Sequence, residues 1–536
     1  MANPSLQIGN GKFAIKENDL LGYSSSGTRF FPIPITMTRA TLGSRVNPSG
    51  LIEDVALLGS ELVSCGDFAC ADPDAVWNRG TGWTISGGSA NCDGSQSSQS
   101  NLYQTGIVPI NISYKVTFTT TVSAGGVTLA IGGSNAQTIT TESGTYTFTS
   151  KATSGDSNFY FSANSDFIGS ISNVSVKEAT IDGLARVDYT DGTGSLLVEP
   201  QRTNLITYSE DLSVLSKVSV GTASAPVTTS NYATAPDGTQ TATRVVFDLN
   251  GGTSSGDRSI LRQAIPSGSN YYFSIYVKST DGTEQNILWH DGGEYNLTTV
   301  TNEWVRITYD GRPNLVFSGI ALRGGDGVDS SDILAWGFQV EEGSYPTSYI
   351  KTQGSTVTRN QDQYTKTGIS DKINSEEGVL FAEMASLIDD GTSRLIGLSD
   401  GTSTKRINIY YDTSSNSIYG LLLNSSVQGI TSFTLSDSTN FAKIAFKYKE
   451  NDFALWVNGT EVDTDSSGTT FTSDTLNKLS FDRADGVAPF FGKVKQLQVF
   501  KTALTDDELT ILTGTSGVHF FPSYGSMASA LTYTIE

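Results

Sequence analysis

The chain has 536 residues, more than one hydrophobic core serves, so roughly three or four domains are expected. With 55 Gly, 14 Pro, 17% charged residues and abundant Thr, Ser, Val, Tyr and Phe, it favours pleated strands joined by tight turns. Its 55 carboxylates against 34 Lys and Arg give a net charge of −21, which excludes nucleic acid as a partner and suits a protein kept soluble at high local density.

The opening "MANPSLQIGNGKFAIKEN" has no basic stretch followed by an apolar segment, so no secretory leader is expected. No run of about 18 apolar residues occurs, so no membrane insertion is expected either. Cys65, Cys70 and Cys92 follow in "SCGDFAC" and "NCDG". An odd count in so large a chain is not a disulfide framework, and no His lies near for a zinc set, so packed thiols and no metal site are expected.

From there the period is two. "YKVTFTTTV" (114–122), "GVTLAIGG" (126–133), "GTYTFTS" (144–150) and "FYFSA" (159–163) alternate apolar and polar residues between Gly, Ser and Asn turns. A second series repeats the order: "YYFSIYVKST" (271–280) parallels the first of these segments, "NEWVRITYDG" (302–311) parallels "GTYTFTSKA", and "SDILAWGFQVEEG" (331–343) parallels "IGSISNVSVKEA" (168–179). A repeat of roughly 160 residues is too long for a solenoid and indicates two jelly rolls of one kind. After the polar stretch 351–368 a third sandwich is expected from "GVLFAEMAS" (378–386), "RINIYYD" (406–412), "SIYGLLL" (417–423), 441–462 and "VKQLQVFKTAL" (494–504), with hairpin turns at Asn451-Asp452 and Asn458-Gly459. Only "ALTDDELTILTG" (503–514) predicts a helix, capped by Thr505 with Glu508, stapled by Leu504 and Leu509, and stopped at Gly514.

Sugar binding needs a flat apolar face and a few polar groups. Trp289, His290 and Asp291 in "ILWHDGGEYN" offer that combination, with a strand end and turn around a partly buried Trp as the alternative. Trp77 and Trp83, in a loop and an early strand, are further candidates; Trp304, Trp336 and Trp456 sit in phase with strand neighbours and are expected in cores. Glu461, Asp463 and Asp465 share one face of "EVDTD", but the segment directly follows a turn and reads as a solvated hairpin arm. Glu199 with Glu210 as an acid pair is weaker than Glu199 and Arg202 satisfying each other at a domain seam stiffened by Pro200. With two His in the chain no Ser/His/Asp triad forms, so no catalytic residue and no enzyme activity are expected. No cofactor is expected; Gly/Asp loops 248–259 and 323–332 carry oxygen donors of the kind that hold structural calcium, without the spacing of a known ion loop.

Three sets of residues resemble known families. "FALWVNGTEV" followed by "FFGKVKQLQVFKTALTDDELTIL" resembles the end of laminin-G-like, or concanavalin-A-like, domains, where the last strand leads into a short Leu-(Ser/Thr)-x-x-Glu helix. "GSELVSCGDFACADPDAVWNRGTGWTISGGSA" (59–90) and "ISNVSVKE" (171–178) resemble the opening and closing strands of galactose-binding-like carbohydrate-binding jelly rolls. Asn173 stands where that family often has an Asp that helps hold calcium. "MTRATLGSRVNPSGLIEDV" (37–55) with "ARVDYTDGTGSLLVEPQRTNLITYSEDL" (185–212) resembles a paired element of tailed-phage structural proteins, which flanks or precedes such sandwiches, and "GFQVEEGSYPTSYIKTQGSTVTR" (337–359) resembles the same group's domain ending.

The expected architecture is all-β, with tandem antiparallel β-sandwiches behind a short N-terminal attachment region. Its parts are an attachment region 1–56, a first carbohydrate-binding-like jelly roll 57–179, a seam 180–204, a second jelly roll 205–351, a linker 352–375, a laminin-G/concanavalin-A-like sandwich 376–514 and a tail 515–536. The resemblances imply a non-enzymatic phage virion protein, assembled in the host cytoplasm and docked to other virion proteins through its N-terminal region. As a homo-oligomer, a trimer by analogy with fibres, it would hold host surface glycans through many weak contacts. A purely structural decoration or head fibre is the alternative, and a polysaccharide depolymerase the third.

Overall fold

The computed structural model describes residues 2–10, 12–16, 19–25, 30–132, 134–140, 143–153, 156–267, 270–290, 295–310, 316–514 and 534–535. Among them strands dominate, in three successive β-sandwiches with separate cores.

The first two sandwiches are twins. In the first, one sheet runs Gly144–Lys151, Ser113–Ala124, Ile168–Thr180, Ser89–Asp93, Trp83–Ser86; in the second, Val305–Asp310, Tyr271–Ser279, Ser330–Glu342, Ala242–Asp248, Val227–Ala233. The opposite sheets match as well: Ser134–Thr140, Val127–Ile131, Phe159–Ala163, Ser100–Gln104, Asn78–Arg79 against Tyr295–Val300, Gln285–His290, Phe317–Arg323, Arg258–Ala264, Ser216–Val220. Even the register breaks coincide. Pairing shifts between Thr117/Thr119 in one and between Ser274/Tyr276 in the other. The bulged strand turns there through a positive φ, 51° at Asn173 and 67° at Gly337. Alternation dictates the cores: Tyr114, Val116 and Phe118 face inward in the first, Phe273, Ile275 and Val277 in the second.

The third sandwich contains more of the chain than its own segment. Leu6–Ile8 pairs with Gly492–Phe500 (Leu6↔Val499), and Phe30–Thr38 pairs with Gln363–Thr367. Leu6, Ile8, Leu20, Ile35, Val187 and Leu196 share its core with Leu380, Ile409 and Phe446. The expected attachment region 1–56 is therefore not a region apart, because its apolar strands are buried in the C-terminal sandwich. Residues 43–55 leave that sandwich as a hairpin, Gly43–Val46 with Ile52–Val55. Nor is 352–375 a free linker: Val357–Arg359 pairs with Arg202–Asn204, and Tyr364 is buried in the third core. Most of the tail 515–536 lies outside the described residues; Thr534–Ile535 pairs with Ala14–Lys16.

The expected helix forms over Asp506–Thr513. Thr505 accepts from the Glu508 backbone, Glu508 reaches back in a capping box, and Leu504 and Leu509 are buried together beside Trp456. Asn451, Asn458 and Gly459 adopt positive φ at the two expected turns.

Candidate functional site

The aromatic candidates from the sequence turn inward. Trp77 and Trp83 are buried in the first core, Trp77 against Phe68 at 5.0 Å and Trp83 against Phe167 at 5.8 Å, with their Nε1 donating to the Cys65 and Ser100 carbonyls. Trp289 lies in the second core between Phe273 and Tyr309, each at 6.1 Å, and His290 beside it is also buried. None of these four has a face to offer a sugar ring. Asp291 lies outside the described residues. The three cysteines are not all packed thiols: Cys65 and Cys70 form a disulfide, and Cys92 is the buried free one.

The carboxylate candidates are occupied. Asp463 accepts from the Ser432 backbone at 2.8 Å and Asp465 from Ile430 at 3.3 Å, so both join the hairpin arm to a neighbouring strand. In the Gly/Asp loops, Asp257 accepts from the Thr222 and Ser254 backbones and Asp329 from Gly251, leaving no convergent oxygen cage. Among the described residues no group of three or more His, Cys, Asp or Glu could hold a metal.

The paired element of 37–55 and 185–212 builds a buried ionic knot. Arg186 joins Glu199 at 2.6 Å and also holds Asp362; Arg39 meets Asp362 at 2.7 Å, and Arg359 meets Glu199 at 3.0 Å. Burial works to raise the Glu199 carboxyl, but Arg359 and Arg186 outweigh it and hold the group down to about 2. Asp362 is likewise lowered against its burial by Arg186 and Arg39. Glu199 was expected to pair with Arg202, but that side chain stacks on Tyr345 at 5.3 Å instead. Of the true partners, Arg186 lies 13 residues upstream, while Arg359 comes from a segment distant in sequence, where spacing carries no signal.

Held by this knot, the hairpin 43–55 lies on the outer face of the second sandwich. Ile52 packs with the buried Trp336 and Tyr349, and its backbone donates to Pro236 at 3.1 Å. Asp188 accepts from the Val46 backbone at 3.0 Å and from Thr190 at 3.2 Å, which fixes the hairpin's other side. The hairpin does not cover the whole face. Beside it remains a cleft of about 630 Å³, bordered by Tyr189, Tyr276, Trp304, Asp188, Arg306 and Lys493.

Three half-buried aromatic rings thus meet polar groups at one concave place. The outer row of the sheet explains why: Arg306 pairs across strands with Tyr276, and Tyr276 with Trp336. A Cβ at Gly337 would come within 3.1 Å of the Tyr276 ring, so the bulge glycine makes room for that ring. Trp304, expected in a core, is only half-buried and donates to the Thr234 carbonyl at 3.3 Å. Such a cleft can take a pyranose against its rings and bind hydroxyls at its rim. Sequence reading missed it because Trp304 reads as a core position and Tyr189 comes from a segment far in sequence from the strands of Tyr276 and Arg306.

A second cleft of about 840 Å³ opens between the twin sandwiches, lined by Asp54, Glu210, Asp237 and Lys351 among others. Burial raises the Glu210 carboxyl, opposed by Lys351 at 2.8 Å. Trp336 and Tyr349, the aromatics lining this cleft, are buried.

Residues 373–510 match the family model described as the concanavalin A-like lectin/glucanases superfamily, in line with the closing strand and helix of the third sandwich. No curated protein matches the chain. Among solved structures, a leech intramolecular trans-sialidase complexed with 2,7-anhydro-Neu5Ac is 20% identical over 28% of this chain and 24% of that one, with a TM-score of 0.23. The match thus spans about a quarter of that enzyme's length. The N-terminal CBM22 tandem domain of Xyn10C from Paenibacillus barcinonensis is 11% identical, covering 54% of this chain and 99% of that one, with a TM-score of 0.19. At these scores neither structure informs what this chain binds.

Proposed function

We propose that the chain is a non-enzymatic virion protein of a tailed phage that adheres to host surface glycans, and that the Trp304–Tyr276–Tyr189 cleft is its sugar site. The observation that carries the binding half is the cleft itself, where the half-buried Tyr189, Tyr276 and Trp304 border it beside Asp188 and Arg306. The lectin-like family of the third sandwich supports it. The virion half rests on the paired element, which resembles that of phage structural proteins and here ties a hairpin and a strand pair into one knot. Docking to other virion proteins, expected of the N-terminal residues, would use strands already part of the third sandwich. One cleft binds a monosaccharide weakly; many copies on a particle, as trimers by analogy with fibres, raise the avidity by orders of magnitude.

A glycan array probed with the full chain tests the binding half. Binding by the wild type and its loss in Trp304→Ala are expected; no binding to any glycan would leave the purely structural role. Release of reducing sugar from capsular polysaccharide would move the protein to the depolymerases. Immunogold labelling of purified particles tests the location, and finding the protein free in lysate but never on particles would end the virion reading.

A further inference from the structure

We infer that the glycan held in the Trp304–Tyr276 cleft carries a carboxylate, and that Arg306 is the residue that takes it; this rests on the proposed sugar site. Arg306 lies on the edge strand Val305–Asp310 and borders the cleft. Its guanidinium lies over the Tyr276 ring at 5.5 Å, and Nη2 donates to the buried Ser274 hydroxyl at 2.8 Å. Those two contacts fix the plane of the group before any ligand arrives.

The rest of the guanidinium is left for a ligand. Its Nε is shielded from solvent and has no hydrogen-bond partner. Among the described residues no carboxylate pairs with Arg306, although the chain has 55 carboxylates for 34 Lys and Arg. The other cations at the cleft are taken. Arg45 meets Glu53 at 2.8 Å, and Lys493 meets Asp191 at 2.7 Å and Asp188 at 3.4 Å. Asp188 is in turn held by two backbone N–H groups. Glu199, the other acid bordering the cleft, is locked by Arg186 and Arg359.

A planar fork with a free edge, stacked on a ring and half withdrawn from water, matches the two oxygens of a carboxylate. A pyranose whose apolar face lies on Trp304 would bring such a group to the cleft rim. Uronic acids and other sugar acids have this form; neutral sugars leave the guanidinium charge without a counter-charge. A sulfate ester is the competing oxyanion, and the experiment separates the two.

The full chain is titrated calorimetrically with three versions of one oligosaccharide: uronate-containing, carboxyl-reduced and sulfated. The uronate form is expected to bind about tenfold or more tightly than the carboxyl-reduced form. Arg306→Gln should erase that preference, so that the uronate and reduced forms bind alike; Arg306→Lys, which keeps the charge but not the fork, should retain only part of it. Thermal melts establish that each variant is folded. Equal binding of the uronate and reduced forms, an undiminished preference in folded Arg306→Gln, or sulfate binding as tight as carboxylate would each overturn the inference and leave the sugar site standing. Failure to bind any of the three, together with a blank glycan array, would remove both.

Discussion

The twin sandwiches share strand order, bulge and fold, yet they present opposite outer faces. At the position of Arg306–Tyr276–Trp336 in the second, the first carries Thr145–Thr119–Ser172, paired by the same register. Thr119 and Thr145 link their hydroxyls at 2.9 Å on an exposed surface. The second row instead attracts a hairpin from the N-terminal residues, which buries Trp336 and leaves a cleft at Tyr276 and Trp304. One backbone thus yields a hydroxyl-lined wall of the cleft between the twins or an aromatic-lined recess, according to three side chains on the face away from the core.

That contrast can be broken most forcefully at the knot which holds the hairpin. Arg186→Ala leaves Glu199 and Asp362 buried with reduced compensation, and a loss of roughly 3–5 kcal/mol in denaturant unfolding is expected. Trp336→Ala should cost about 3 kcal/mol or more by opening a hole under the hairpin, whereas Ser172→Ala at the matching place in the first twin should stay within about 0.5 kcal/mol. Equal effects at the two positions would show that the faces do not differ as described.

Acidity acts on the two ends of the same assembly with opposite sign. Glu199, held down to about 2 in the fold, stabilises above the ordinary carboxylate range, and that contribution fades as pH falls through that range toward about 2. Glu210, raised by burial at the cleft between the twins, contributes in the other direction: full below its ordinary value and lost as pH rises through its raised one. Melting temperatures across pH should therefore show an acid-side fall that becomes shallower in Glu199→Gln, the remainder coming from Asp362 and other lowered carboxyls. The decline on the rising side should flatten in Glu210→Gln. The smallest effect is reserved for Thr119→Ala, which removes one exposed hydroxyl pair and should shift unfolding by a few tenths of a kcal/mol.

What could be read from the residues alone follows the range of the forces involved. Period-two alternation in 114–122 and 271–280, the Asn458-Gly459 turn and the Thr505–Glu508 cap are local, and each appears where the spacing places it. The likeness of 114–122, "GTYTFTSKA" and 168–179 to the later series was legible only through order, since few residues agree. Exposure was not legible. Trp77, Trp83 and Trp289 look available in a linear string because Gly, Asp and Asn surround them, but each completes a core between two sheets. Trp304 looks like core because it falls in phase with its strand neighbours, and only the hairpin from residues 43–55 turns the outer side of the Tyr276 row into a recess. Of the partners of Glu199, Arg359 was hidden for the same reason, as it arrives from the far side of the second sandwich.

The pairing of Leu6 with Val499 has a consequence for synthesis on the ribosome. The earliest strands emerge with open edges and must wait, through translation of both twins, for the last β-segment that completes their sheet. In effect the two jelly rolls are an insertion within a single discontinuous domain. They can fold as they appear, while the third closes around the waiting strands only at the end. A polypeptide interrupted near residue 480 should accordingly keep two folded lobes and a sticky, protease-sensitive beginning, readable by limited proteolysis.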